Sequence, residues 1–212
     1  TYDQLDALAS EVREISPAYL IAIGGGSVLD LAKGTAVLLT NTGSSRTYRG
    51  MGHVANPAAP LLAIPTTAGT GSEVTWTASL IDDTTRVKLG INGPNVFPRA
   101  ALLEPRLLVG CPRKVALSAG LDALVHAVEA VSSPMVSEPA AALAVRAVAL
   151  VASNLETALA LDEESSWEAV QLGAYLAGLA MLNSSGGVAS GVSYPIGTEF
   201  NVPHGFAGGI IL

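Results

Sequence analysis

Apolar positions in the first fifteen residues recur at three- and four-residue steps. Tyr2, Leu5, Leu8, Val12 and Ile15 share one face, which predicts a helix over residues 1–15. Residues 18–23 are a short apolar run that stops at three glycines, the pattern of a buried strand. Residues 27–39 return to helical spacing, with Ser27 placed to cap the start. Leu61 to Ile64 reads as a second buried strand ending at Pro65. Residues 74–81 and 86–91 flank Asp82-Asp83-Thr84-Thr85, which predicts a β-hairpin. Residues 100–103 form one more strand candidate.

Beyond about Arg113 the texture changes. The chain becomes rich in alanine and leucine, and three helices are expected, over 120–131, 137–161 and 165–182. The glycine- and serine-rich residues 183–203 read as a long connection. The pattern predicts an α/β nucleotide-binding part with a parallel sheet over residues 1–110, followed by an all-α part over 111–212. Both ends read as incomplete. The sheet has few strands, and the last residues, Gly209-Ile210-Ile211-Leu212, look like a segment that continues; a fragment or shortened relative of a longer protein is expected.

Composition narrows the function classes. Half of the 212 residues are hydrophobic and 14% are charged, so a disordered chain is excluded. The net charge of −7 argues against a nucleic-acid partner. A mean hydropathy of +0.45 raises the question of a membrane. Arg146 and Gln171 interrupt the two most apolar stretches, so no membrane span is expected. The single cysteine, Cys111, allows no internal disulfide, and a cytoplasmic protein is expected.

Two loops carry candidate chemistry. Gly24-Gly25-Gly26-Ser27 joins a predicted strand to a predicted helix. Glycines there let backbone approach a phosphate, and the helix N-terminus offers free N–H groups. The alternative is a tight turn whose glycines serve the backbone alone. Pro65-Thr66-Thr67-Ala68-Gly69-Thr70-Gly71-Ser72-Glu73 follows the next strand and is dense in hydroxyls, the donors a diphosphate or ribose needs. Two such loops at strand ends match where open α/β sheets bind ligands. On the helical side, Asp122 and His126 lie four apart, on one face of a predicted helix. A carboxylate beside imidazole suits Fe2+ or Zn2+; the alternative is a hydrogen-bonded pair without metal.

Four segments in order resemble the iron-containing (group III) alcohol dehydrogenase family. Residues 24–33 look like its GGGSxxDxAK element, 65–73 like PTTxGTGSE, 121–129 like the DAxxHAxE helix, and Pro203-His204-Gly205 like a late PHG element. The resemblance spans essentially the whole chain. It implies the architecture shared with dehydroquinate synthase, an NAD or NADP cofactor, a divalent metal and a small alcohol or aldehyde substrate. Composition separately predicts a soluble protein with buried helices, and the apolar helices predict a homo-oligomer, expected as a dimer.

Carried over residue by residue, the resemblance places Gly24, Gly25, Gly26 and Ser27 on the cofactor diphosphate, with Asp30 touching the cofactor or orienting the loop. Thr66, Thr67, Thr70 and Ser72 line the cofactor path. Lys88 reaches the ribose hydroxyls or is a solvated edge lysine. Asp122, His126 and His204 are the implied metal ligands. The resemblance implies a further ligand histidine where this chain has Ser190, so three protein ligands are expected instead of four, and a second histidine, close to the nicotinamide, where it has Tyr194. Tyr194 is the catalytic candidate, as donor of a hydrogen bond or proton to substrate, although a tyrosine hydroxyl ordinarily ionises only near about 10. Plain packing is its other reading.

Three functions follow. The first is an NAD(P)-dependent oxidoreductase interconverting a small alcohol and its aldehyde or ketone. The second is a nucleotide-binding relative that has lost its chemistry. The third is a metal enzyme of the glycerol dehydrogenase or dehydroquinate synthase branch.

Overall fold

A computed structural model describes residues 1–184 and 187–212, and all side chains among them save that of Thr198. The chain divides into two compact units. The first comprises Thr1–Pro65 and Ser72–Leu102; the second comprises Thr66–Gly71 and Leu103–Leu212.

In the first unit, helix α1 (Tyr2–Ile15) is closed at its start by a capping box between Thr1 and Gln4 and at its end by Ser16 in the left-handed region. Strand β1 (Leu20–Gly24) leads into α2 (Gly26–Thr40). Strand β3 (Leu61–Pro65) pairs in parallel with β1, Gly24 standing opposite Pro65, and β6 (Ala100–Ala101) pairs in parallel with β3. A second small sheet has the order β2 (Gly50–Met51), β5 (Ile91–Asn92), β4 (Thr77–Ala78). The expected hairpin is present: β4 and β5 are antiparallel, and Asp82 accepts from the amides of Thr84 and Thr85 at the turn.

Helix α2 is the centre of this unit. Leu29 and Ala36 pack on Ala22, Leu61 and Ala63 of the parallel sheet. Its other side, Val37 and Leu38, joins Tyr2, Leu5 and Ala9 of α1. The α1 approach is close: a Cβ at Gly34 would lie 2.6 Å from Leu5 Cδ2.

Two expectations need correction here. The helix after the glycines is capped by Gly25, with no side-chain bond, and Ser27 sits inside its first turn. Strand β1 is not buried on both faces. Ala22 is covered by α2, whereas Ile21 and Ile23, on the opposite face of the strand, are 54% and 57% exposed.

The second unit is a helical bundle of α3 (Arg113–Ser132), α4 (Glu138–Leu161) and α5 (Glu164–Leu182), followed by α6 (Val188–Phe200) and α7 (His204–Ile211). Alanine sets its spacing. Ala127, Ala147 and Ala177 meet at one level and Ala130, Ala144 and Ala180 at the next, one from each of α3, α4 and α5. Such small side chains let helix axes approach closely. A Cβ at Gly120 would lie 2.4 Å from Leu155 Cδ1 and one at Gly173 2.6 Å from Val151 Cγ2. Asp162, left-handed at the end of α4, ties the corner by accepting from Trp167 Nε1 and the Gly110 amide.

By length and composition alone α3 and α4 are long and apolar enough to cross a membrane, a test that the core helices of a folded bundle also pass. In this unit their alanine-lined faces pack on each other and on α5.

The largest correction concerns residues 183–203. Residues 188–200 are helix α6, despite Gly191, Pro195 and Gly197. Intrinsic propensity argues against a helix there, and tertiary packing overrides it. Ser185 and Gly186, within the same expected connection, lie outside the described residues.

Candidate metal and cofactor site

The glycine turn leaves β1 at its C-terminal end, and the threonine loop leaves β3, its parallel neighbour, at the same end. Gly26 is buried, Ser27 exposed, and Gly24 and Gly25 are half-buried. Gly24 has a packing reason of its own: its Cβ would fall 2.6 Å from that of Val28. Gly25 accepts from the amides of Val28 and Leu29 at 2.9 and 3.1 Å. The amides before them, at Gly26 and Ser27, precede the first intrahelical bond, and no side chain caps them. That is the donor set an anion needs at a helix start, and it fits a diphosphate.

Asp30 and Lys33 turn inward. Lys33 is completely buried, and its Nζ donates to the carbonyls of Ser72 (2.8 Å), Thr75 (3.3 Å) and Thr77. Asp30 Oδ1 lies 3.4 Å from Nζ and accepts from the Ser72 hydroxyl at 2.6 Å. Burial pushes the Lys33 ammonium below its ordinary range, against the pull of Asp30. Burial likewise pushes the Glu73 carboxyl up. These two motif residues therefore hold the chain at Ser72 to Thr77. Of the two readings for Asp30, this geometry matches orientation of the loop.

Thr66, Thr67 and Thr70 are half-buried in the helical unit. Their loop is fastened by glycine: a Cβ at Gly69 would meet the Ala119 carbonyl oxygen at 2.6 Å, and one at Gly71 the Gly178 Cα at 2.6 Å. Lys88 stands opposite Ile81 in an antiparallel bridge of the hairpin.

The metal candidates converge. Asp122 and His126 lie on α3 and His204 opens α7, and one ligand atom from each falls within 4.8 Å of the others. Asp122 Oδ1 is 3.7 Å from His126 Nε2 and 3.6 Å from His204 Nε2. Those separations are too long for hydrogen bonds. They match the ~3.4 Å that separates two ligands bound tetrahedrally at ~2.1 Å from a shared ion. Asp122 and His126 are buried and His204 is half-buried, so two desolvated donors and one partly exposed donor face one point. The residues present fit a divalent cation.

Ser190 and Tyr194 both lie on α6. Ser190 points to Glu129: its amide donates to Oε1 at 2.8 Å and its hydroxyl to Oε2. Tyr194 stacks on the His204 ring, with centroids 4.8 Å apart and planes 10° apart.

Sequence reasoning missed three residues. Lys33 had a signal, a lysine four positions after the core residue Leu29 and three after a carboxylate. Glu129 had one too, three positions after His126 on the same helical face. Ser193, which contacts His204, had none, because its place depends on α6.

Comparison with known proteins completes the description. Residues 1–105 match the model for iron-containing alcohol dehydrogenase, and residues 116–212 match that for the C-terminal part of the Fe-containing alcohol dehydrogenase family. The lactaldehyde reductase of Escherichia coli K12 is 35% identical over 196 residues, covering 92% of this chain and 51% of that protein. A solved 1,3-propanediol oxidoreductase superimposes with a TM-score of 0.94 at 32% identity, covering 98% of this chain and 55% of that one. Sulfoacetaldehyde reductase from Bifidobacterium kashiwanohense, solved with NAD+, gives 0.92 at 31% identity, covering 99% and 56%. The chain spans about half the length of the curated relatives it matches.

Proposed function

The chain belongs to the iron-containing alcohol dehydrogenase family, and on that premise we propose that it serves the NAD(P)-dependent interconversion of a small alcohol and its aldehyde or ketone by hydride transfer. The observation that carries this reading is the convergence of Asp122, His126 and His204 on one point.

In this proposal residues 1–110 bind the cofactor and residues 111–212 hold metal and substrate. The Gly25–Ser27 backbone at the start of α2 takes the diphosphate. Lys33 and Asp30 fix the segment beginning at Ser72, and with it the end of the threonine loop. Thr66, Thr67 and Thr70 offer hydroxyls along the cofactor path, and Lys88 offers an ammonium to the ribose. The nicotinamide cofactor would supply or accept the hydride. Asp122, His126 and His204 would hold a divalent metal, Fe2+ in this family, which would polarise the substrate oxygen as a Lewis acid. Tyr194, stacked on one of these ligands, offers a hydroxyl as hydrogen-bond donor to that oxygen.

A soluble cytoplasmic dimer belongs to the same proposal. The exposed apolar Ile21 and Ile23 on β1 support association.

One observation favours a second reading, cofactor binding without metal chemistry: Ser190 is engaged by Glu129, which leaves three protein ligands. One experiment separates the two. NADH binding and the reduction of a panel of small aldehydes are measured for the 212-residue chain, with and without Fe2+. Binding with Fe2+-dependent turnover supports the first reading, and binding without turnover the second. Absence of NADH binding would sink both.

A further inference from the structure

The two ring nitrogens of His204 have different neighbours. Nε2 faces Asp122 Oδ1 at 3.6 Å, and Nδ1 lies 3.0 Å from Ser193 Oγ. A serine hydroxyl owns a single proton. That of Ser193 goes to the Ser190 carbonyl at 2.8 Å, one turn back on α6. Only lone pairs are then left to meet Nδ1, so the proton in this contact belongs to the histidine. Ser193 is 0% exposed, which removes bulk water as a competing partner.

We propose that Ser193 is a positioning residue for the metal centre. By accepting from His204 Nδ1–H, it fixes the imidazole in the tautomer whose Nε2 lone pair faces Asp122, and so prepares His204 to bind a divalent cation. A histidine that ligates through Nε2 carries its proton on Nδ1, and the partner of that proton sets ring orientation and basicity. The inference rests on the reading of Asp122, His126 and His204 as a metal site.

The neighbouring residues give this role a mechanical basis. The Ser190 carbonyl that takes the Ser193 proton is itself held in place, because the Ser190 amide and hydroxyl are fastened to buried Glu129 on α3. A line of contacts therefore runs from the metal-bearing helix through Glu129, Ser190 and Ser193 to His204. The altered position, Ser190, serves as an anchor for a ligand it does not itself provide. Tyr194 covers a face of the same ring, restricting its tilt. His126 is different: its buried Nδ1 has no hydrogen-bond partner among the described residues. Preorganisation thus falls on His204.

Two measurements on the full chain test the proposal. The first is 15N NMR of histidine-labelled, metal-free protein at alkaline pH, where the neutral tautomers are read directly. His204 is expected in the Nδ1–H form, with a mixture of tautomers in Ser193→Ala. An Nε2–H form in the unaltered protein would overturn the proposal, whether or not metal binds. The second is titration with Co2+ alone. Ser193→Ala, shown by circular dichroism to be folded, is expected to bind about 10–100-fold more weakly. Unchanged Co2+ affinity in that variant would also overturn it. Should the unaltered chain bind no Co2+, the metal reading itself fails, and the tautomer still decides the role of Ser193. Should Ser193→Ala not fold, the NMR of the unaltered protein decides.

Discussion

Ser190 donates to Glu129 twice, through its amide at 2.8 Å and through its hydroxyl. Both residues are buried, and Glu129 lies three positions after the metal candidate His126 on α3. The position where the family resemblance implies a metal-binding histidine is here a partner of a buried carboxylate. Removing the hydroxyl leaves that carboxylate short of a donor. Ser190→Ala is expected to lower stability by about 1–3 kcal/mol in urea unfolding, and to weaken metal binding less than Ser193→Ala does, because the Ser190 amide still donates to Glu129. A loss of metal affinity without a loss of stability would mean that Ser190 faces the ion.

Neutralising Lys33 is expected to be costly. Its ammonium sits among three carbonyls and Asp30 with no water contact. Lys33→Met strands Asp30 and should cost about 3–5 kcal/mol. The double variant with Asp30→Asn should lose less than the sum of the two single changes, since they share one interaction. Urea unfolding of the four proteins checks this; strict additivity would show that the pair does not interact.

Glycines separate into tight and open positions. Gly71 has φ +62° and Gly178 Cα 2.6 Å from its would-be Cβ, so neither its backbone nor its neighbour can yield. Gly71→Ala should cost about 2–4 kcal/mol. Gly52 has φ +77° and open space beside it, and Gly52→Ala should cost only about 1–2 kcal/mol. Thermal unfolding of both variants gives the comparison, and equal losses would contradict it.

The hairpin turn should loosen in acid. The amides of Thr85 and Thr84, with Arg49 nearby, hold the Asp82 carboxyl below its ordinary 3.8. A carboxyl lowered on folding adds stability that is complete above the unfolded value and lost as pH falls through the folded one. Protection of the Thr84 and Thr85 amides from hydrogen exchange, taken relative to the intrinsic rate at each pH, should therefore persist at pH 3.8 and fall below it. Asp82→Asn should flatten that dependence. Loss of protection already above 3.8 would reverse the assigned direction.

How much of this was legible in the sequence depended on the kind of signal. Periodicity located α1, α2 and the three helices of the bundle, because a buried face repeats along each of them. It did not locate α6, whose serines, glycines and proline carry no helical signal; the helix depends on packing in the second unit. The Asp122/His126 pair was legible because both ligands lie on one helix. The involvement of His204 came from the family resemblance, and the structure then placed it 3.6 Å from Asp122. Lys33 left only a partial trace, its spacing from Leu29 and Asp30, because the carbonyl groups it meets are brought together by the fold, and Ser193 left none, because its contacts depend on α6.

In the proposed function Asp122, His126 and His204 form a metal site despite Ser190. Anaerobic titration of the full chain with Fe2+, alongside His204→Ala, tests it most directly. One Fe2+ bound per chain and a large loss of affinity in the variant are expected. Binding that is absent, or that is the same in His204→Ala, would contradict it.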